Sequence, residues 1–161
     1  MSPPKRLTMM GLALSLTIAG TGLASAQGWS RYTDPAFGTR IDVPVGLFGP
    51  LQRTTEGVIF RGRQTKLEIS AKSAPGIGGA RDLRAAIGKA PGYDRVDYTP
   101  SGSNWLVVSG FRGSMIFYEK YFVANGVVEG FSFEYPIAER RFYDPVVEHM
   151  EDTFRPGRAR R

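Results

Sequence analysis

The chain has 161 residues, with 21 Lys or Arg against 15 Asp or Glu for a formal net charge of +6, one His and no Cys. These counts exclude disulfides, thiolate nucleophiles and cysteine-built metal centres, and a single His removes multi-histidine metal sites. The charge also argues against a nucleic-acid domain. Lys5, Arg6, Arg155, Arg158, Arg160 and Arg161 sit at the two ends, and taking these six from 21 leaves 15 basic residues against 15 acidic ones in a neutral body.

Residues 1–26 read as an export signal: Lys5 and Arg6 supply the positive start, Met9 to Ile18 the apolar run, and Ala24-Ser25-Ala26 the small-residue site that places cleavage before Gln27. The apolar run is too short for a comfortable membrane span, and without a Cys near the cleavage site a lipid-anchored form is not expected. A periplasmic or secreted location follows. The mature chain would then hold 135 residues, 161 less 26, the size of one domain. The expected organisation is a signal over 1–26, a single domain over 27–154 and a disordered basic tail over 155–161.

Taken in order, Gly28 to Thr33 reads as a first strand, Asp34 to Gly38 as a turn, and Thr39 to Val43 as a second strand stopped by Pro44, which lacks a ladder N–H. Residues 45–55 place Leu47, Phe48 and Leu51 among Gly and Pro, which reads equally as a loop tucked on the core or as a binding lip. Gly57 to Gly62 and Lys66 to Lys72 form a hairpin with Val58, Phe60, Leu67, Ile69 and Ala71 inward. Two Ala-Pro-Gly triplets then bracket a helix from about Ala80 to Lys89, its stripe made by Leu83, Ala86 and Ile87. Tyr93 to Thr99 supplies a strand with Val96 and Tyr98 on one face.

Asn104 to Pro136 reads as three antiparallel strands. Asn125-Gly126 is the strongest short-range hairpin signal, since both central positions of a type I′ turn need φ > 0. It sets Phe122 opposite Glu129, Lys120 opposite Phe131 and Tyr118 opposite Phe133. A second reversal is placed at Arg112-Gly113, which would set Lys120 two strands from Trp105, in a position to sit over an aromatic face. Ile116, Tyr118, Phe122, Phe131, Phe133 and Tyr135 then share one face, and Met115, Phe117, Tyr121, Val123 and Val128 the other. Large apolar groups on both faces call for a cover on each, most simply a helix. Beyond Pro136, Ile137, Phe142, Tyr143, Val146, Val147, Met150 and Phe154 recur at helical steps. Pro145 either opens a helix capped by Asp144 or kinks a longer one.

Catalytic signals are sparse. The Gly76–Gly79 cluster before a helix has the setting of a phosphate cradle without its spacing or its lysine, and reads as a flexible connection. Ser109 lacks the glycine two positions earlier that a nucleophile elbow needs. His149, between Glu148 and Asp152 on the helical wheel, reads as a solvated histidine. Glu119, Glu129 and Glu134 lie on neighbouring strands and are the candidates for an acid and base pair of a small envelope hydrolase. Phe48, Leu51, Trp105 and Lys120 are the candidates for a ligand or partner surface. Arg155, Arg158, Arg160 and Arg161 are the candidates for contact with anionic envelope material.

Trp29 and Tyr32, the stretch Phe37-Gly38-Thr39-Arg40-Ile41-Asp42-Val43-Pro44, a hairpin, a helix, a meander containing Asn104-Trp105 and a closing helix together resemble the PsbP-like fold. That architecture is shared by the extrinsic photosystem II protein and a Ran-binding import factor, and the chain is also similar to small exported alphaproteobacterial proteins. The resemblance implies an α+β fold, an antiparallel sheet of about six to seven strands covered by helices. It also implies a binding or accessory module with no catalytic set and no cofactor. The expected function is a non-enzymatic binding module of the cell envelope, its partner a protein or small molecule and not nucleic acid. The hydrolase is the alternative.

Overall fold

The computed structural model describes residues 28–88 and 92–157. The expected export signal, Lys89 at the expected helix end and Arg158, Arg160 and Arg161 lie outside them. Two strands, β1 (Trp29–Thr33) and β2 (Arg40–Pro44), pair as a separate antiparallel ribbon. Seven more form one antiparallel sheet: β3 (Gln52–Arg53), β4 (Gly57–Arg61), β5 (Lys66–Ser73), β6 (Arg95–Tyr98), β7 (Trp105–Arg112), β8 (Met115–Ala124) and β9 (Val127–Pro136). Their order across the sheet is β3-β4-β5-β9-β8-β7-β6. Helix α1 (Ala80–Ile87) follows β5, and α2 (Arg140–Thr153) closes the chain after a 3-10 turn at Ile137–Glu139. This is the α+β architecture expected from the sequence.

The β8–β9 hairpin has the expected register, with Phe122 opposite Glu129, Lys120 opposite Phe131 and Tyr118 opposite Phe133. Asn125 and Gly126 both take positive φ, 52° and 69°, as a type I′ turn requires. The β7–β8 reversal is shifted by one residue from its expected place. Arg112 pairs with Met115, so the loop is Gly113-Ser114, with positive φ at Gly113 and not at Ser114. A two-residue loop that needs a left-handed residue only at its first position puts the glycine there. Lys120 therefore stands opposite Val107, and Trp105 opposite Phe122.

Each face of the sheet is covered differently. On one, α2 and the β1–β2 ribbon bury Phe131, Phe133, Leu67, Ile69, Ile41 and Met150 in the larger core. The inward side chains of β4 and β5 are those the alternation gives. On the other face α1 packs chiefly on β7 and β8, where Leu83 and Ala80 join Leu106, Val108 and Phe117 in a second, smaller core. Ala80 replaces the expected Ala86, which faces solvent. The core on this side is thus smaller than the one under α2 and the ribbon. Polar side chains of β5 and β9 occupy the rest.

Helix α2 runs through Pro145, so the longer-helix alternative is the one found. Tyr143, Val146, Val147 and Met150 form its buried stripe, while Ile137 and Phe142 remain 41% exposed. The chain stays attached past Phe154, where the basic tail was expected to begin. Arg155 bridges Arg40 through both backbone hydrogen bonds, 2.9 and 2.8 Å, and the Gly157 N–H donates to Glu129 at 2.5 Å.

Candidate functional site

Three carboxylates were candidates for chemistry, and the sheet divides them. Glu119 and Glu134 are diagonal neighbours on the α1 face, whereas Glu129 lies on the opposite face, opposed to Phe122. Glu119 is 3% exposed and is surrounded by donors. Arg112 Nη2 donates to it at 2.9 Å, the Tyr93 and Tyr121 hydroxyls at 2.7 and 2.9 Å, and the Ser132 hydroxyl at 3.5 Å. Arg112 also donates through Nη1 to Glu134 and through Nε to the Gly92 carbonyl. Its guanidinium lies over the rings of Phe117 and Tyr93 at 4.7 and 4.9 Å. Burial opposes the charge on Arg112, but Glu119 and Glu134 outweigh it and hold the group protonated. Burial and the neighbouring Glu119 both push the Tyr93 and Tyr121 phenols up, so these hydroxyls stay donors.

This arrangement is a polar hub that borders an opening of about 190 Å³ between β5, β8 and β9. An acid and base pair needs two carboxylates free to exchange protons with a substrate. Here both accept hydrogen bonds from the same arginine. Glu129, 4% exposed, accepts from the Thr39 hydroxyl at 2.9 Å and from Gly157, which ties the turn before β2 and the C-terminal segment to β9. Burial raises its affinity for a proton.

The other sequence candidates are scattered. Phe48 packs against Phe60 and Phe133, and Leu51 is 42% exposed. Trp105 on β7 and Lys120 on β8 are diagonal neighbours on the α2 face of the sheet, with Lys120 bonded to Glu151 at 2.9 Å. Arg155 donates to the Phe154 carbonyl and its backbone is engaged by Arg40. In the glycine cluster the Gly78 N–H donates to Asp82 at 2.9 Å and the Ala80 N–H to the Ser103 carbonyl, so the chain satisfies these donors itself. Ser109 donates to the Phe117 carbonyl at 2.8 Å. His149 keeps 40% of its side chain exposed, while its ring stacks on Trp29 at 4.0 Å with Nε2 3.4 Å from Asp42.

A groove opens where α2 stops short of the sheet edge. It has a volume of about 430 Å³ and lies between α2 on one side and β6 and β7 on the other. Phe111, Ile116, Tyr118 and Tyr135 supply its apolar floor, and Asp144, Glu148 and Glu151 its helical wall. Tyr98 reaches it because of a bulge: Val96 pairs with Gly110 but Tyr98 pairs with Ser109, so the two residues expected on one face are on opposite faces. Tyr98 is 55% exposed at the groove mouth. Gly110 permits this edge, since a Cβ there would meet the Arg95 carbonyl. Burial and Glu151 push the Tyr118 phenol up, and burial and Asp144 do the same for Tyr135, whose hydroxyl donates to Asp144 at 2.9 Å. The aromatic residues were legible in the sequence; their opening to solvent depends on where α2 lies.

Among the described residues no helix is long and apolar enough to cross a membrane and no metal-ligand cluster occurs. No protein-family model and no curated protein matches the sequence significantly. The solution structure of cyanobacterial PsbP (CyanoP) from Synechocystis sp. PCC 6803 matches the fold with a TM-score of 0.56 at 13% identity, covering 86% of this chain and 96% of that one. The chain has a PsbP-like fold, as its order of elements implied.

Proposed function

We propose that this protein is an exported binding or accessory module of the cell envelope, without catalytic activity, that takes its ligand or partner in the groove between α2 and the β6–β7 edge. The observation that carries the reading is the contrast between two regions. Glu119, Glu129 and Glu134 are all held by groups of the chain itself, whereas the groove presents rings toward solvent with Tyr98 at its mouth. A concave surface with an aromatic floor and a few polar groups is the usual form of a binding site. The PsbP-like fold supports an accessory role, and the signal-like residues 1–26 support export.

Affinity capture from an envelope fraction tests this, using the mature chain and its Tyr98→Asp variant as baits. A component held by the first and lost by the second supports the groove. Equal retention by both baits, or turnover of envelope esters or glycans that Glu119→Gln abolishes, contradicts it.

A further inference from the structure

We propose that the occupant of this groove is an extended peptide segment of a partner protein, with basic side chains at alternate positions and apolar or aromatic ones between them. The inference rests on the binding-module reading and names the chemistry of its ligand.

The length of the wall comes first. The α2 residues that line the groove run from Arg140 to Glu151, which at about 1.5 Å per residue is roughly 16 Å, the span of about five residues of extended chain. The charge of the wall comes second. Asp144, Glu148 and Glu151 point to the same groove from successive turns, with Asp97 across from them and Arg140 as the one cation among the lining residues. Asp144 and Glu148 are about 6 Å apart along the helix axis, close to the roughly 6.7 Å between alternate side chains of an extended strand. Basic side chains at positions i and i+2 can therefore meet successive carboxylates, while the residues between them turn toward Tyr98 and the floor.

Cations of the chain itself are held at and beside the groove in this manner. Arg95 places its guanidinium 4.2 Å above the Phe111 ring and pairs with Asp97 at 2.8 Å, and Arg140 pairs with Asp144 at 3.0 Å. Glu151 pairs with Lys120 at 2.9 Å, whereas Glu148 has no ion pair among the described residues. An incoming base adds to Glu148 directly and exchanges with exposed pairs that individually contribute little. Rings beside a desolvated cation strengthen its attraction.

The test uses the mature chain and fluorescein-labelled pentapeptides: Lys and Tyr alternating, the same residues with the three Lys consecutive, and Glu in place of Lys. The alternating peptide is expected to bind several-fold more tightly than the consecutive one, and the Glu peptide not at all. Binding should weaken with salt. Glu148→Lys and Tyr98→Ala, both at exposed positions, should each weaken it about three- to ten-fold with an unchanged circular dichroism spectrum. Equal binding of the two Lys peptides, competition by spermidine at the same concentration, or indifference to both substitutions overturns the proposal. If no peptide binds while an envelope extract still protects the groove from hydrogen exchange, the ligand chemistry fails and the binding-module reading survives. If neither occurs, both fail.

Discussion

Replacing Glu119 with Ala separates a structural carboxylate from a catalytic one. The substitution removes the acceptor shared by Arg112, Tyr93 and Tyr121 and leaves a half-buried guanidinium with Glu134 as its remaining charged partner. Breaking a buried pair from one side costs about 3 to 5 kcal/mol, and each orphaned buried hydroxyl about 1 kcal/mol or more. Arg112 has a side-chain exposure of 29% and keeps one carboxylate, which brings the total toward the lower end, about 3 kcal/mol. At a urea dependence of about 1.5 kcal/mol per molar, the unfolding midpoint should fall by about 2 M, and Tm by about 10 °C. Glu134→Ala, at a more exposed position, should cost about 1 kcal/mol, and Glu119→Gln should fall between the two. Urea titrations followed by tryptophan fluorescence measure all three. A Glu119→Ala midpoint within 0.3 M of the parent would refute the view that this carboxylate is held for stability.

Three further outcomes follow from the packing. Burial raises the proton affinity of Glu129 above its ordinary value of 4.5, so the folded chain binds this proton more tightly than the unfolded one. The contribution to stability is greatest below that value and is lost as pH rises through the raised one. Glu129→Gln, which keeps an acceptor for Thr39 and Gly157, should flatten the loss, and an unchanged pH slope of the unfolding free energy contradicts this. Gly157→Ala places a Cβ against the Phe37 carbonyl and should destabilise by about 1 to 3 kcal/mol, read as faster exchange at the Arg40 and Arg155 amides; full retention of their protection counts against docking of this segment. Removing residues 158–161 leaves the pinned Arg155 in place. If the tail binds anionic surfaces, loss of three arginines at about 1 kcal/mol each should weaken sedimentation with anionic vesicles at low salt by roughly 100-fold, and equal sedimentation removes that role.

Local signals carried most of the fold, and the discrepancies have local causes as well. Asn125-Gly126 set the β8–β9 register because no other pairing satisfies two consecutive left-handed residues. Arg112-Gly113 differed by one residue because a lone glycine does not say which loop position it fills, although positive φ at the first position alone decides it. The β6 bulge has no mark in the sequence: one extra residue at Asp97 sends Tyr98 across the sheet, and that displacement makes the groove mouth. The stacking of Trp29 on His149 joins the first strand to the last helix, and periodicity says nothing about such distant partners. Amphipathicity placed α2 on the sheet. It did not show that α2 would lie toward β2, β8 and β9 and leave β6 and β7 open, and this displacement creates the candidate site.

Hydrogen exchange of residues 27–161 with and without envelope extract tests most directly whether the groove between α2 and the β6–β7 edge is a docking site. Slowed exchange in β6, Arg95–Tyr98, together with the groove side of α2 from Asp144 to Glu151, is the expected result. Slowed exchange confined to β5 and β9 around Arg112, with β6 and α2 unchanged, would contradict it.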